Sequence, residues 1–234
     1  RVQCWGASSS DGRGGQADDD GSTTNALKPV TVSGLSGAVA ISALDNQSCA
    51  LISGGHVRCW GQDITEQFGD GSKKDTLTPV TVIGPSGALP VSSGGHSCAL
   101  TSDGGVQCWG SNRFGQLGDG STTGSMTPVT VSGLSDAVAV SAGDYHTCAL
   151  TSSGRVQCWG ANSNGQLGDG TGALARLTPV TVSGLSGVVA VSAGNAHSCA
   201  LYHDGAVSCW GSNYYGQAGW PVWKYSLPRL PQSR

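Results

Sequence analysis

Glutamate is almost absent from this chain: of 15 acidic residues in 234, only Glu66 is Glu, and the other 14 are Asp. Methionine occurs once, phenylalanine twice and lysine four times, and charged residues make up only 12% of the chain. The residues that fill helix surfaces are therefore scarce, which excludes a helical bundle and an alternating βαβ protein. No run of 18 apolar residues occurs, so no segment has the make-up of a membrane-spanning helix. The net charge is −3 and no Lys/Arg cluster exceeds Lys73-Lys74, so the electrostatic footprint of a nucleic-acid binder is missing. A Walker motif is lacking, as is a nucleophile elbow with a matching acid and base. A glycosidase with paired carboxylates would have to draw on Asp at irregular positions.

What the chain has in excess is glycine, 38 residues, together with nine cysteines and seven tryptophans. These fall on a repeat. Cys-Trp-Gly starts at Cys4, Cys59, Cys108, Cys158 and Cys209, in steps of 55, 49, 50 and 51 residues. Thr127–Gly170 is one full unit. Its Thr127–Val131, Ala137–Ser141, His146–Thr151 and Arg155–Gly160 read as strands A, B, C and D, separated by turn residues. Four short strands in about 50 residues mark a β-propeller blade. The fold is therefore expected to be an all-β propeller. Its units span 28–61, 77–110, 126–160 and 177–211, with partial-blade strands at 1–6 (a strand D) and 226–231 (a strand A).

Eight cysteines form four pairs of equal spacing: Cys49/Cys59, Cys98/Cys108, Cys148/Cys158 and Cys199/Cys209. Centring a hairpin on each pair leaves a three-residue tip ending in Gly55, Gly104, Gly154 or Gly205, which suits a type I turn followed by a left-handed glycine. That register sets each cysteine opposite its partner, within disulfide reach. One such closed loop contributes about 2.5–3 kcal/mol in the chain-entropy model. Four of them imply an oxidising setting: medium, cell surface or periplasm. Free core thiols and a metal site are the weaker readings, since the spacing is not a Cys-x-x-Cys knuckle. Cys4 is a strand-D cysteine whose partner would lie ten residues upstream, before Arg1; it is read as unpaired or intermolecular. Two readings of the incomplete blade compete. In one, the residues are a segment of a longer propeller. In the other, strands 1–6 and 226–231 share a blade, closing a five-bladed ring that a neighbour completes.

The pattern G-x-x-H-[ST]-C-A-L-x-x-x-G-x-V-x-C-W-G-x-N-x-x-G-Q-L-G resembles the regulator of chromosome condensation repeat. It is carried by His96–Gly118, His146–Gly168 and His197–Gly219, the last with Ala218 in the Leu place, and more loosely around Cys49, where Gln47 stands for His. The likeness is greatest to the bacterial branch, with cysteine in strands C and D. It implies a closed propeller, usually of seven blades. It also brings nucleotide exchange on a small GTPase as a remote alternative, since the regular steps leave no room for a large insertion.

The repeated His96, His146 and His197 are read as structural hydrogen-bond donors, because Gln47 can donate in their place but ligates metal poorly. The Asp-Gly-Ser/Thr of each connection, as at Asp119, is read as an Asx turn in preference to a calcium ligand, and Asp18-Asp19-Asp20 as a solvated loop. The Trp of each Cys-Trp-Gly is assigned to packing between blades. No cofactor or metal is expected, and the chain is read as a secreted, non-catalytic module that binds another protein or copies of itself. Candidate contacts are Asp144, Tyr145 and Asn195 in B–C loops and the aromatic run Tyr214, Tyr215, Trp220, Trp223 and Tyr225. A glycan-binding propeller that stacks sugars on that run is the alternative.

Overall fold

The fold is described from a computed structural model, which defines residues 1–6, 25–44, 47–63, 66–84, 91–93 and 95–219. Trp220, Trp223, Tyr225, the strand expected at 226–231 and Asp18-Asp19-Asp20 lie outside the described residues. Alternating Val, Thr and Ala between glycine turns produces strands alone, and among the described residues there is no helix.

The first sheet pairs β1 (Gln3–Gly6) with β2 (Ala26–Thr31). The second is β3 (Ala38–Leu44), β4 (Gln47–Ile52), β5 (His56–Gly61) and β6 (Thr76–Thr81), hydrogen-bonded in that order. The third runs β7 (Val91–Ser93), β8 (His96–Leu100), β9 (Val106–Gly110) and β10 (Ser125–Thr130). The fourth is β11 (Ala137–Ala142), β12 (His146–Thr151), β13 (Val156–Ala161) and β14 (Ala175–Thr181). The last is β15 (Val188–Ala193), β16 (His197–Tyr202) and β17 (Val207–Gly211). All neighbours are antiparallel.

This grouping corrects the unit boundaries 28–61, 77–110, 126–160 and 177–211. The strand that opens each sequence unit is the outermost strand of the preceding sheet, so the sheets cover 38–81, 91–130, 137–181 and 188–211. Strand A pairs with the strand D before it, as Cys108 with Val129, Cys158 with Val180 and Cys59 with Val80, and its Pro79, Pro128 or Pro179 suits the outer edge it holds there. β1 pairs with β2 along one of its edges, and the ring-closing alternative, which turns on 226–231, falls outside the described residues.

Within each sheet the hairpin register is the one expected. Cys98 faces Cys108 and Leu100 faces Val106, and the other three hairpins repeat this. All four disulfides form, with Cα atoms 4.0–4.1 Å apart. The tip closes as Gly104 N–H donates to the Thr101 carbonyl, with Gly104 at φ +82°, where any side chain would be strained. The core lies between sheets. One layer holds Cys98, Cys108, Leu117 and Val131 of one blade against Trp159 of the next, and equivalent layers hold Trp109 and Trp60. Trp60, Trp109 and Trp159 are buried as expected. Trp5 departs from that assignment among the described residues, being 62% exposed. Cys4 faces Val30 across its ladder and packs beside Val2, Val32 and Trp60.

Candidate functional site: the loop-bearing end of the blades

Strands alternate in direction, so the B–C loops and the connections that follow strand D emerge at the same end of every blade. A repeated polar seam fixes that end. The carbonyl of Gln116 accepts the indole N–H of Trp159 (2.9 Å) and the hydroxyl of Thr147 (2.9 Å), both from the next blade. Gln67 receives Trp109 and Ser97, and Gln166 receives Trp210 and Ser198, in the same way. Since the single proton of the Thr147 hydroxyl goes to Gln116, its oxygen accepts from His96 Nε2–H, 2.6 Å away. His146 meets Ser198 likewise at 2.8 Å. Gln47 serves as the sequence suggests: its amide donates to both the Gln67 carbonyl (2.7 Å) and Ser97 Oγ (3.1 Å). Burial pushes His96 down to about 3 and His146 down to about 4, with the neighbouring histidine adding to each shift. They are neutral seam residues.

Each connection is folded by its own side chains. Asn112 Oδ1 accepts Leu117 N–H (2.9 Å), while its Nδ2 faces Asp119 Oδ1, Ser121 Oγ and the carbonyls of Ser121 and Thr123 at 3.0–3.2 Å. Asp119 accepts Ser121 N–H (2.9 Å) and its hydroxyl (3.0 Å), and Asp70 and Asp169 hold Ser72 and Thr171 alike. These aspartates are turn residues, with their oxygens engaged by the turn.

On this frame stand the contact residues. Asn195 donates to Asp144 across the boundary between two blades, so these two candidates meet each other. Tyr145, 46% exposed, stacks edge-on against Phe114 at 5.5 Å, and the Arg113 guanidinium lies 5.8 Å from the Phe114 centroid. Tyr214 and Tyr215 form a second edge-on pair at 4.8 Å and are 84% and 87% exposed. Arg113 and Phe114 were not among the sequence candidates. They occupy the places in their connection that Tyr214 and Tyr215 hold in theirs, each pair directly following the Asn of Gly-x-Asn, and aligning the connections would have found them. Glu66 is the other addition. It sits at φ +66°, where the other connections have Gly115, Gly165 and Gly216, and it ion-pairs with Lys73. With Arg113, Ser111, Asn112 and Thr122 it lines an open cleft of about 410 Å³.

Comparison with known proteins agrees with this architecture. Residues 103–150 and 153–201 match the regulator of chromosome condensation (RCC1) repeat, and 137–166 and 188–217 match a second description of the same repeat. No curated protein matches the chain in sequence. Among solved structures, yeast RCC1 (Prp20), crystallised with Kap60, is 24% identical with a TM-score of 0.73, over 83% of this chain and 48% of that one. Prp20p from Saccharomyces cerevisiae, studied with its binding to Gsp1p and histones, is 23% identical with a TM-score of 0.71, over 80% of this chain and 49% of that one. Human WBSCR16 is 23% identical with a TM-score of 0.75, over 84% of this chain and 53% of that one. At these identities the likeness is one of fold, and the chain spans about half the length of the structures it matches. Residues 103–217 are therefore built of regulator of chromosome condensation repeats, and the β-sheets are blades of a propeller.

Proposed function

We propose that the chain is a non-catalytic protein-interaction module that holds a partner on the loop-bearing end of its blades. The observation that carries this reading is the rim Arg113–Phe114–Tyr145, in which two adjacent blades present one aromatic surface with a cation beside it. Tyr, Phe and Arg are the residue types enriched at the centres of protein interfaces. The exposed Tyr214–Tyr215 pair extends the same chemistry. Similar propellers were solved or studied with protein partners, Kap60 for one and Gsp1p and histones for another, which supports the class of function and names no partner for this chain. Four disulfides favour an oxidising compartment, so the partner is sought at a cell surface or in the medium, and exchange on a cytosolic GTPase is disfavoured.

A second reading, self-assembly, has its own observation. Leu201 and Val207 are 38% and 59% exposed, whereas Leu150 and Val156 in the preceding blade are 5% and 1% exposed beneath the next blade's tryptophan. Trp5, in the first described sheet, is 62% exposed, and in this reading it supplies the other half of such a layer. The test is residue-specific crosslinking at position 145 to extracellular proteins, with Tyr145→Ala and Tyr214→Ala/Tyr215→Ala as controls. A crosslinked protein partner lost in both variants supports the interaction module. Binding on a glycan array, lost in the same variants, would establish the lectin alternative, and a concentration-dependent mass by light scattering, lost in Trp5→Ala, would establish assembly.

A further inference from the structure

The connection between β5 and β6 breaks the pattern of its sisters. Where three connections place Asn112, Asn162 and Asn213, it places Asp63. Asp63 Oδ1 does the work of the asparagine carbonyl and accepts Phe68 N–H at 3.3 Å, as Asn112 Oδ1 accepts Leu117 N–H at 2.9 Å. The other oxygen stands where an amide N–H₂ belongs. In the sister connection that nitrogen faces four acceptors, from Asp119, Ser121 and Thr123, at 3.0–3.2 Å. Asp63 is 4% exposed, and its Oδ2 is buried with no hydrogen-bond partner among the described residues.

The charged groups that act on Asp63 are Asp70 and Asp75, both of its own connection. Asp75 Oδ1 accepts the Asp63 N–H at 2.8 Å, so Asp75 is held as an acceptor, and Glu66 is engaged with Lys73. An ionised Asp63 therefore leaves a charged oxygen unpartnered in a desolvated slot, with the carboxylates of Asp70 and Asp75 nearby. A proton on Oδ2 turns the side chain into a donor of the same shape as asparagine.

We propose that a proton on Asp63 replaces the amide hydrogen of the sister asparagines, so that ionising this one side chain loosens the connection that carries Glu66 to the cleft. The loop is then a pH-responsive element at a position where the sister connections carry an uncharged asparagine. The proposal is independent of any partner. Burial acts in the same direction, with Asp70 and Asp75 adding to it and the backbone N–H groups of Phe68 and Gln67 opposing it; the net result is a carboxyl raised to about 6.

The test is an NMR titration of the Asp63 carboxyl carbon in the full oxidised chain, together with hydrogen-exchange protection factors for the amides of Asp63 and Phe68. The expected midpoint lies between about pH 5 and 7, with protection falling about tenfold or more across it. In Asp63→Asn, which installs the residue the sister connections use, protection is expected to be high and flat with pH. A midpoint below about pH 4.5, or equal protection in the two proteins at every pH, would overturn the proposal. So would full protection of the wild type at pH 7.5 in millimolar calcium chloride, since a cation would then occupy the slot.

Discussion

The indole N–H of Trp159 donates across a blade boundary to the carbonyl oxygen of Gln116, at 2.9 Å, and shares that oxygen with the hydroxyl of Thr147. One acceptor thus secures two residues of the next blade, and the arrangement recurs at Gln67 and Gln166. Because the oxygen has two donors, loss of either leaves it satisfied. Trp159→Phe is expected to cost about 2–3 kcal/mol, from one hydrogen bond and lost ring volume. Thr147→Val is expected to cost about 1–3 kcal/mol, since it strands the His96 N–H. The double variant strands the buried carbonyl as well, so chemical denaturation of the oxidised protein should show a loss larger than the sum, by about 0.5–3 kcal/mol. Simple additivity would mean that the shared oxygen couples nothing.

The last glycine of Gly-Gln-Leu-Gly serves the same seam. Gly118 is at φ +71°, and a Cβ there would stand 2.6 Å from Trp159 Nε1. Gly133 has nearly the same conformation, φ +70°, but nothing lies within 4 Å of its Cβ position. Gly133→Ala should therefore cost only the conformational strain, about 1–2 kcal/mol. Gly118→Ala adds displacement of a buried indole and should cost about 1–3 kcal/mol more. Thermal denaturation of the pair separates conformation from contact, and equal losses would rule out the contact account.

What the sequence made legible is what repeats at fixed spacing over short range. The Cys98–Cys108 register follows from a hairpin with a three-residue tip, where one glycine and a two-residue period decide everything. Gln47 was readable as a donor because three other units show histidine at its place. Contacts between blades were not legible. That Asn195 meets Asp144, or Phe114 meets Tyr145, depends on how neighbouring sheets stack, which no spacing encodes. The grouping of strands into sheets was missed for a related reason: β9 and β10 join through a long irregular connection and a register shift, so no hairpin signal marks the pairing. Asp63 was hidden by its similarity to asparagine, and its chemistry emerged only from its buried, unpartnered Oδ2.

Burial also orders the disulfides. Cys49, Cys59, Cys98, Cys108, Cys148 and Cys158 are completely buried between sheets, whereas Cys199 and Cys209 are half-buried on the last described sheet. Thiol exchange needs access to a sulfur. With graded dithiothreitol under native conditions, Cys199–Cys209 is expected to be alkylated first by about tenfold or more in rate, as read by differential labelling and mass spectrometry. Loss of one loop closure should then lower stability by about 2–3 kcal/mol. Equal rates at all four pairs would show that reduction proceeds through global opening.

The seam histidines make the fold sensitive to acid. His96 and His146 are held neutral by burial, at about 3 and about 4, below the ordinary 6.5. Between these values and 6.5 the unfolded chain binds protons that the folded chain does not, so each histidine contributes stability that is complete above about pH 6.5 and lost as pH falls towards the folded value. The slope approaches about 1.4 kcal/mol per pH unit for each residue within that window. Asp63 works in the opposite sense, since its raised carboxyl favours the folded state on acidification, and the two effects separate by substitution. His146→Gln should keep the bond to Ser198, as Gln47 keeps its bond to Ser97, while removing one histidine's share of the acid slope. Conversely, Gln47→His should steepen the slope by placing a third titrating group in a buried seam position. Urea denaturation between about pH 4 and 7 reads both variants, and an unchanged slope in each would show that the seam imidazoles are charged in the folded protein.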